Sequence, residues 1–450
     1  MFLKKSLRVS MPVWLRPVTT LALIAALMIL TVSNSLGAGS SNGPYDRTGV
    51  WWNRVSRPLF GMAYTAEPSD YNDSAPLGTP ERNVCDKTYC KYFDSDFTIA
   101  DFSMLWGPDG RDDLLTIKNM GLNFIALYDW SGGFCRNHQP FLAAAANDGL
   151  MVTIPISDFN LKDVDAQTNN IRSILFEAYG LDPQGNGTPN ISPAASMWRL
   201  GNEAGLHNIP ARNVVKAAKI IIDFENEKNI PDNQKLLFTS DVDFGVYDGR
   251  PPGIAPLLKL KQAFVDAGMS DIWHTRFISS INTTNPGSEI KNYVENVFPK
   301  QDDFSEGQGL AMFLTEYGRN AIEACKYIRD TTSNKLDCHS LSDQNVGQDL
   351  YDKDEFQIGT SLATGASTSY FYGFAIFQWQ DAFWKCPNEY KGYDKGTACT
   401  ESTFGIQTVG SQSGTGNITG GVCGLSTTAT YPVNILNPKP IFNDIPGTIR

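Results

Sequence analysis

Two glutamates stand where apolar runs stop. Glu203 ends "SMWRLGNE" (196–203), and Glu316 lies in "AMFLTEYG" (311–318). A glycine lies within two residues of each. A carboxyl at the end of a buried strand sits at the edge of a core, where its surroundings shift its proton affinity. Two such carboxyls facing one cleft suit the cleavage of a glycosidic bond. One protonates the departing oxygen, and the other attacks the anomeric carbon or activates water. Position alone does not choose the pair. Asp129, Asp158, Asp241 and Asp243 also end apolar runs, and most of the 48 acidic residues are ordinary solvated groups.

The elements that must position these residues follow from the pattern around them. Eight short apolar runs alternate with stretches of helical period. The first four are "PLFGMAYT" (58–65), "LNFIALYD" (122–129), "LMVTIPISD" (150–158) and "SMWRLGNE". The rest are "KLLFTSDVD" (235–243), "TRFISSINT" (275–283), "AMFLTEYG" and "YFYGFAIFQW" (370–379). Between them, "ARNVVKAAKIIIDFENEK" puts Val214, Ala217, Ala218, Ile221 and Ile222 on one helical face. "DGRDDLLTIKNMG" spaces Leu114, Ile117 and Met120 by about a turn and stops at Gly121. Strands apolar on both faces, alternating with helices, predict a parallel sheet covered on both sides. Eight such units predict a TIM (β/α)8 barrel over 57–408, whose functional groups gather at the C-terminal ends of the strands. A doubly wound open sheet is the alternative, without the Gly-rich phosphate turn of nucleotide-binding versions.

The ends of the chain read differently. Lys4, Lys5, Arg8 and Arg16 precede an apolar run over about 17–32, and small residues follow at 35–38. Residues 1–37 are expected to be a signal peptide or a membrane anchor, which puts the rest outside the cytosol. Residues 38–56 are expected to be a linker, and 409–450 a Gly/Ser/Thr-rich extension packed on the barrel. Eight cysteines in an exported chain suggest disulfides. The local pairs Cys85–Cys90, Cys325–Cys338 and Cys386–Cys399 are the simplest, leaving Cys135 and Cys423. Net charge is −11 with no basic stripe, so a nucleic-acid partner is not expected. No cofactor or metal is implied, and a monomer is expected.

A resemblance narrows the chemistry. "GNE" at the fourth strand and a Glu followed by Tyr-Gly at the seventh resemble the retaining glycoside hydrolases of clan A. The resemblance implies that Glu203 is the acid/base, that Asn202 binds the sugar 2-hydroxyl, and that Glu316 is the nucleophile. "LFGMAYT", "IKNMGLNFIALYDW", "FLAAAANDGLMVTIPISD" and "FQWQDAFWK…STFGIQ" resemble segments of glycoside hydrolase families 72 and 17. These are the β-1,3-glucanosyltransferases and β-1,3-glucanases. Two positions depart from the pattern. The second strand lacks an Arg before its aromatic, and the sixth lacks the Tyr expected to orient the nucleophile.

Aromatics at strand ends are candidates for stacking on sugar rings: Tyr64, Tyr128, Trp130, Trp379 and Trp384. His207 is expected to be a loop residue beside the "GNE" turn. The expected function is an exported retaining β-glycosidase acting on β-glucan, by hydrolysis or transglycosylation. The alternative is a carbohydrate-binding or surface-structural barrel without turnover.

Overall fold

All eight apolar runs form strands, and the strands are parallel. A computed structural model describes residues 44–66, 96–132, 137–365, 369–382, 400–418 and 429–449. In chain order these give β1 (Leu59–Ala63), α1 (Asp113–Asn119), β2 (Phe124–Ala126), α2 (Gln139–Asn147), β3 (Met151–Ile156), α3 (Thr168–Ala178) and β4 (Ala195–Leu200). Then come α4 (Ala211–Glu227), a split β5 (Leu237–Thr239 and Asp241–Asp243), α5 (Ile254–Asp266), β6 (Ser279–Thr283) and α6 (Gly287–Asn292). β7 (Met312–Tyr317), α7 (Ala321–Thr331), α8 (Leu341–Thr364) and β8 (Phe371–Ile376) complete the repeat. Each strand pairs with its sequence neighbours, and β1 pairs with β8. β5 breaks at Ser240. Its first half pairs with β4 and its second with β6, while a bridge between Phe238 and Phe277 spans the break. The sheet therefore closes on itself as a (β/α)8 barrel.

Side chains alternate across each strand. One parity fills the barrel: Leu59, Phe124, Ala126, Met197, Leu237, Phe313 and Ala375 form an interior cluster. The other parity, including Met62, Ile125, Ile154, Trp198, Leu314 and Ile376, packs under the helices. Val214, Ala217, Ala218 and Ile221 of α4 are buried against that layer as the period predicts, and Ile222 is half-buried at its edge.

The described part of the expected linker is docked on the barrel. A 3-10 turn over Val50–Arg54 closes the end where the strands begin. Trp52 and Val55 pack on the interior cluster, and the indole N–H groups of Trp51 and Trp52 both donate to the Thr275 carbonyl. Aromatic rings with a polar tip explain why a short, polar-looking segment is held.

The extension begins with an antiparallel hairpin, β9 (Gln407–Ile418) and β10 (Ala429–Pro438), followed by α9 (Pro440–Thr448). Tyr431 is buried and donates to the Asp101 carbonyl. Lys439 is buried and donates to Asp381 Oδ1 at 2.8 Å and to the Thr403 carbonyl. Cys325 and Cys338 form the expected disulfide. The other six cysteines, Trp384 and residues 1–37 lie outside the described residues. Among the described residues no helix is long and apolar enough to cross a membrane.

Candidate active site

Alternation on β4 places Met197 and then Arg199 inside the barrel. Arg199 is the more informative of the two, because a guanidinium inside a core needs partners. Its Nε donates to Asp241 Oδ2 at 2.5 Å, Nη1 to the Leu127 carbonyl at 2.6 Å, and Nη2 to Asn202 Oδ1 at 3.0 Å. Its guanidinium carbon lies 4.2 Å from the centre of the Tyr128 ring. Burial opposes the charge, but Asp241, Tyr128 and Glu316 together outweigh it and the pKa rises. Asp241 also accepts from Ser280 and from Thr315 Oγ1. Both of its oxygens are thus engaged by three neighbouring strands, which makes it a scaffold rather than a reacting group.

Beyond Leu200 the chain turns sharply. Gly201 takes φ +77°, where an added Cβ would lie 2.7 Å from Leu161 and 3.0 Å from Asp158. Glu203 takes φ +47°, a left-handed conformation uncommon for a residue with a side chain. Asp158 fastens this turn: it accepts from the Asn202 amide at 2.9 Å and bonds His207 Nδ1 at 2.5 Å.

Glu316 reaches the same mouth by a different device. Ile281 of β6 is level with Leu314, but Asn282 is level with Glu316, so β7 carries one extra residue at Thr315. The partner on the other side agrees, since Leu314 and Tyr317 match Phe374 and Ile376. This bulge lets Thr315 and Glu316 both face inward. Thr315 bonds Asp241, Glu316 meets Arg199 and Tyr128, and Tyr317 packs outward against Phe356.

Asn282 of β6 is level with Glu316, its Nδ2 donates to Asn202 Oδ1 at 2.9 Å, and its proximity to Glu203 partly opposes the rise in that group's pKa. Both glutamates hold protons more tightly than usual. For Glu316 the largest cause is burial; Arg199 opposes it and the Glu203 charge adds to it, giving about 7. For Glu203 burial leads, followed by the charges of Asp241 and Asp243.

Both departures from the resemblance have structural counterparts. The missing Arg on β2 is matched by Arg199, which enters from β4 and lies beneath Tyr128. No tyrosine comes from β6, but Tyr128 of the β2 end faces Glu316. Its buried hydroxyl makes no hydrogen bond of ordinary geometry. Among the aromatic candidates within the described residues, Tyr128 alone is only half-buried and in the mouth. Tyr64 is buried and donates to Asp113 Oδ2 at 2.8 Å. Trp130 is fully buried and stacks on His138 at 4.0 Å. Trp379 is buried beside Phe442. These three rings are buried against neighbouring residues: Tyr64 against Phe141 and Asp113, Trp130 against His138, and Trp379 against Phe442. Arg199 and Asn282 were the residues that sequence reasoning missed. The signal for Arg199 was present: a charge two residues from Met197 in an apolar strand must be paired.

No family model matches the sequence, and no curated protein matches it. Among solved structures the chain is similar to CJP38, a β-1,3-glucanase and allergen of Cryptomeria japonica pollen. The identity is 12%, over 66% of this chain and 90% of that one, with a TM-score of 0.42. It is similar to Saccharomyces cerevisiae Gas2p in complex with laminaritriose and laminaritetraose, at 9% identity over 91% of this chain and 68% of that one, with a TM-score of 0.45. An exo-β-1,3-glucanase of Aureobasidium namibiae matches at 10% identity over 60% of this chain and 80% of that one, with a TM-score of 0.33. The barrel assignment stands on its own strand order, independently of these likenesses. The chain folds as a closed eight-stranded (β/α)8 barrel with glutamates at the C-terminal ends of β4 and β7.

Proposed function

We propose that the protein is an exported retaining β-glycosidase acting on β-glucan through a covalent glycosyl-enzyme. The observation that carries this is the placement of Glu203 and Glu316 at the ends of β4 and β7, near enough that the charge of Glu203 raises the pKa of Glu316. Glu316 attacks the anomeric carbon while Glu203 gives its proton to the departing oxygen; Glu203 then deprotonates water or a sugar hydroxyl, which releases the product. Arg199 favours the ionised form of Glu316, and Asp241 and Asp243 favour the protonated form of Glu203. Burial nevertheless raises both carboxyls, Glu316 to about 7, so the assignment of roles rests on the sequence resemblance. Asn202 spends its carbonyl oxygen on Arg199 and Asn282, so its amide N–H groups are what it offers a sugar hydroxyl. The choice of β-1,3-glucan rests on the sequence resemblance, and export rests on the leader-like N-terminus and the Cys325–Cys338 disulfide.

The test is turnover of laminarin and laminari-oligosaccharides, with the first-formed anomer followed by NMR. Cleavage or transfer with the β-anomer formed first is expected. Binding without any turnover would replace this reading with the non-catalytic barrel, and an α-anomer formed first would overturn retention.

A further inference from the structure

Beside the mouth, a cavity of about 320 Å³ opens between the loops that follow β4 and β5 and runs outward between α4 and α5. Its volume is at the lower end for small-molecule sites. Ile209, Val214, Val242 and Leu260 make its walls, and Asp243 and Tyr247 stand at its entrance. Ala204 and Gly205, which also line it, follow Glu203 directly. Tyr247 donates to Asp243 Oδ2 at 2.5 Å, so the entrance is held in place. The same two loops leave Leu206 54% and Val246 67% exposed, an apolar rim that the protein does not cover.

Two observations bear on what enters. The cavity lies on the side of Glu203, and in the reaction proposed above Glu203 protonates the departing oxygen. Whatever that oxygen carries must extend past Glu203. Most of the lining is aliphatic, and its polar groups are engaged within the protein: Asp241 by Arg199, Ser280 and Thr315, Asp243 by Tyr247, Ser240 by the Leu200 carbonyl and Lys259 by Asp248; a sugar unit needs several hydrogen-bonding partners. We propose that this cavity receives an apolar aglycone, an alkyl group on the leaving oxygen, so that the protein also cleaves alkyl β-glycosides. The step balances with water as co-reactant. The bond from the anomeric carbon to the alkyl oxygen breaks, the bond to Glu316 forms, and the alcohol leaves with the proton of Glu203. Water then displaces Glu316 and returns a proton to Glu203.

This inference rests on the proposed glycosidase reading, and the experiment separates the two. β-Glucosyl fluoride, whose leaving group is too small to fill the cavity, reports the chemistry alone. Methyl, butyl, hexyl and octyl β-glucosides report the cavity. In the wild type kcat/KM should rise roughly two- to fourfold per added methylene over the first carbons, as expected for burial of CH2 groups. Ala211→Phe, which fills the cavity, should flatten that rise. Gly205→Phe is a second variant: an added Cβ there meets nothing within 4 Å, so the fold should accept it. The readout is the slope with chain length within each variant. A flat wild-type slope, or a slope that neither variant changes, overturns the proposal. So does a dependence on laminari-oligosaccharide length that the same variants abolish, since the cavity would then be a sugar site. If neither β-glucosyl fluoride nor laminarin is turned over, the glycosidase reading fails, and calorimetric affinity for the same alkyl series then decides the cavity.

Discussion

Glu316 costs the fold stability because its surroundings favour the neutral acid. Its folded pKa of about 7 is above the ordinary 4.5. The penalty is therefore absent below about pH 4.5, grows as pH rises, and is complete above about 7. Glu316→Gln should raise the melting temperature at pH 8, by roughly 1–3 kcal/mol of stability, and change little at pH 4.5. Thermal melts across that range check it; a variant less stable than wild type at pH 8 would contradict the electrostatic account. The roles of the pair are separable by product analysis. Glu316→Gly with azide and an activated aryl β-glucoside should give the α-glycosyl azide, because azide fills the space of the lost nucleophile. Glu203→Ala should keep the first step with such substrates, lose about 10²–10⁴ on glucan, and give the β-glycosyl azide. Opposite anomers would mean that the roles are exchanged.

At the level of elements, Trp130 shows what a strand-end aromatic can be doing instead of binding sugar. It stacks on His138, whose two ring nitrogens lie 2.8 Å from Glu177 of α3 and 3.0 Å from Asp96. Burial works against the imidazolium, but the two carboxylates prevail and raise His138 to about 9. Asp96, likewise opposed by burial, is held by His138 well below the usual carboxylate range. The His138 contribution is complete below about pH 6.5 and is lost as pH rises through 9. His138→Ala should cost about 3–5 kcal/mol at pH 6, as for a broken buried ion pair, with the deficit shrinking toward pH 10. An NMR titration of His138 with a midpoint near its ordinary 6.5 would refute this. The strands were legible in the sequence because each is a short apolar run between breakers. The glutamate of β4 was legible because a glycine-flanked turn marks it. The bulge in β7 was not, since an extra residue leaves no trace in "FLTEYG" until its two neighbouring strands are counted against it. The burial of Tyr64, Trp130 and Trp379 was not legible for a related reason: what covers a strand end is set by distant segments.

For the whole molecule, both ends of the described chain are structural parts of the barrel. Trp52 closes the end opposite the glutamates, and Trp52→Ala should cost on the order of 3–5 kcal/mol, visible in denaturant unfolding; a change under 1 kcal/mol would show that the turn only rests on the barrel. At the other end, Lys439 supplies the positive charge facing buried Asp381, three residues beyond cis-linked Gln378 at the end of β8. Burial pushes Asp381 up to about 6, with Lys439 holding it down. The boundary near residue 408, which composition suggests, is therefore not a joint where the chain can be divided. A gene trimmed there would encode a barrel with an orphaned carboxylate at the rim of its own mouth. Fusions or transplants of this barrel must carry the hairpin and final helix with them.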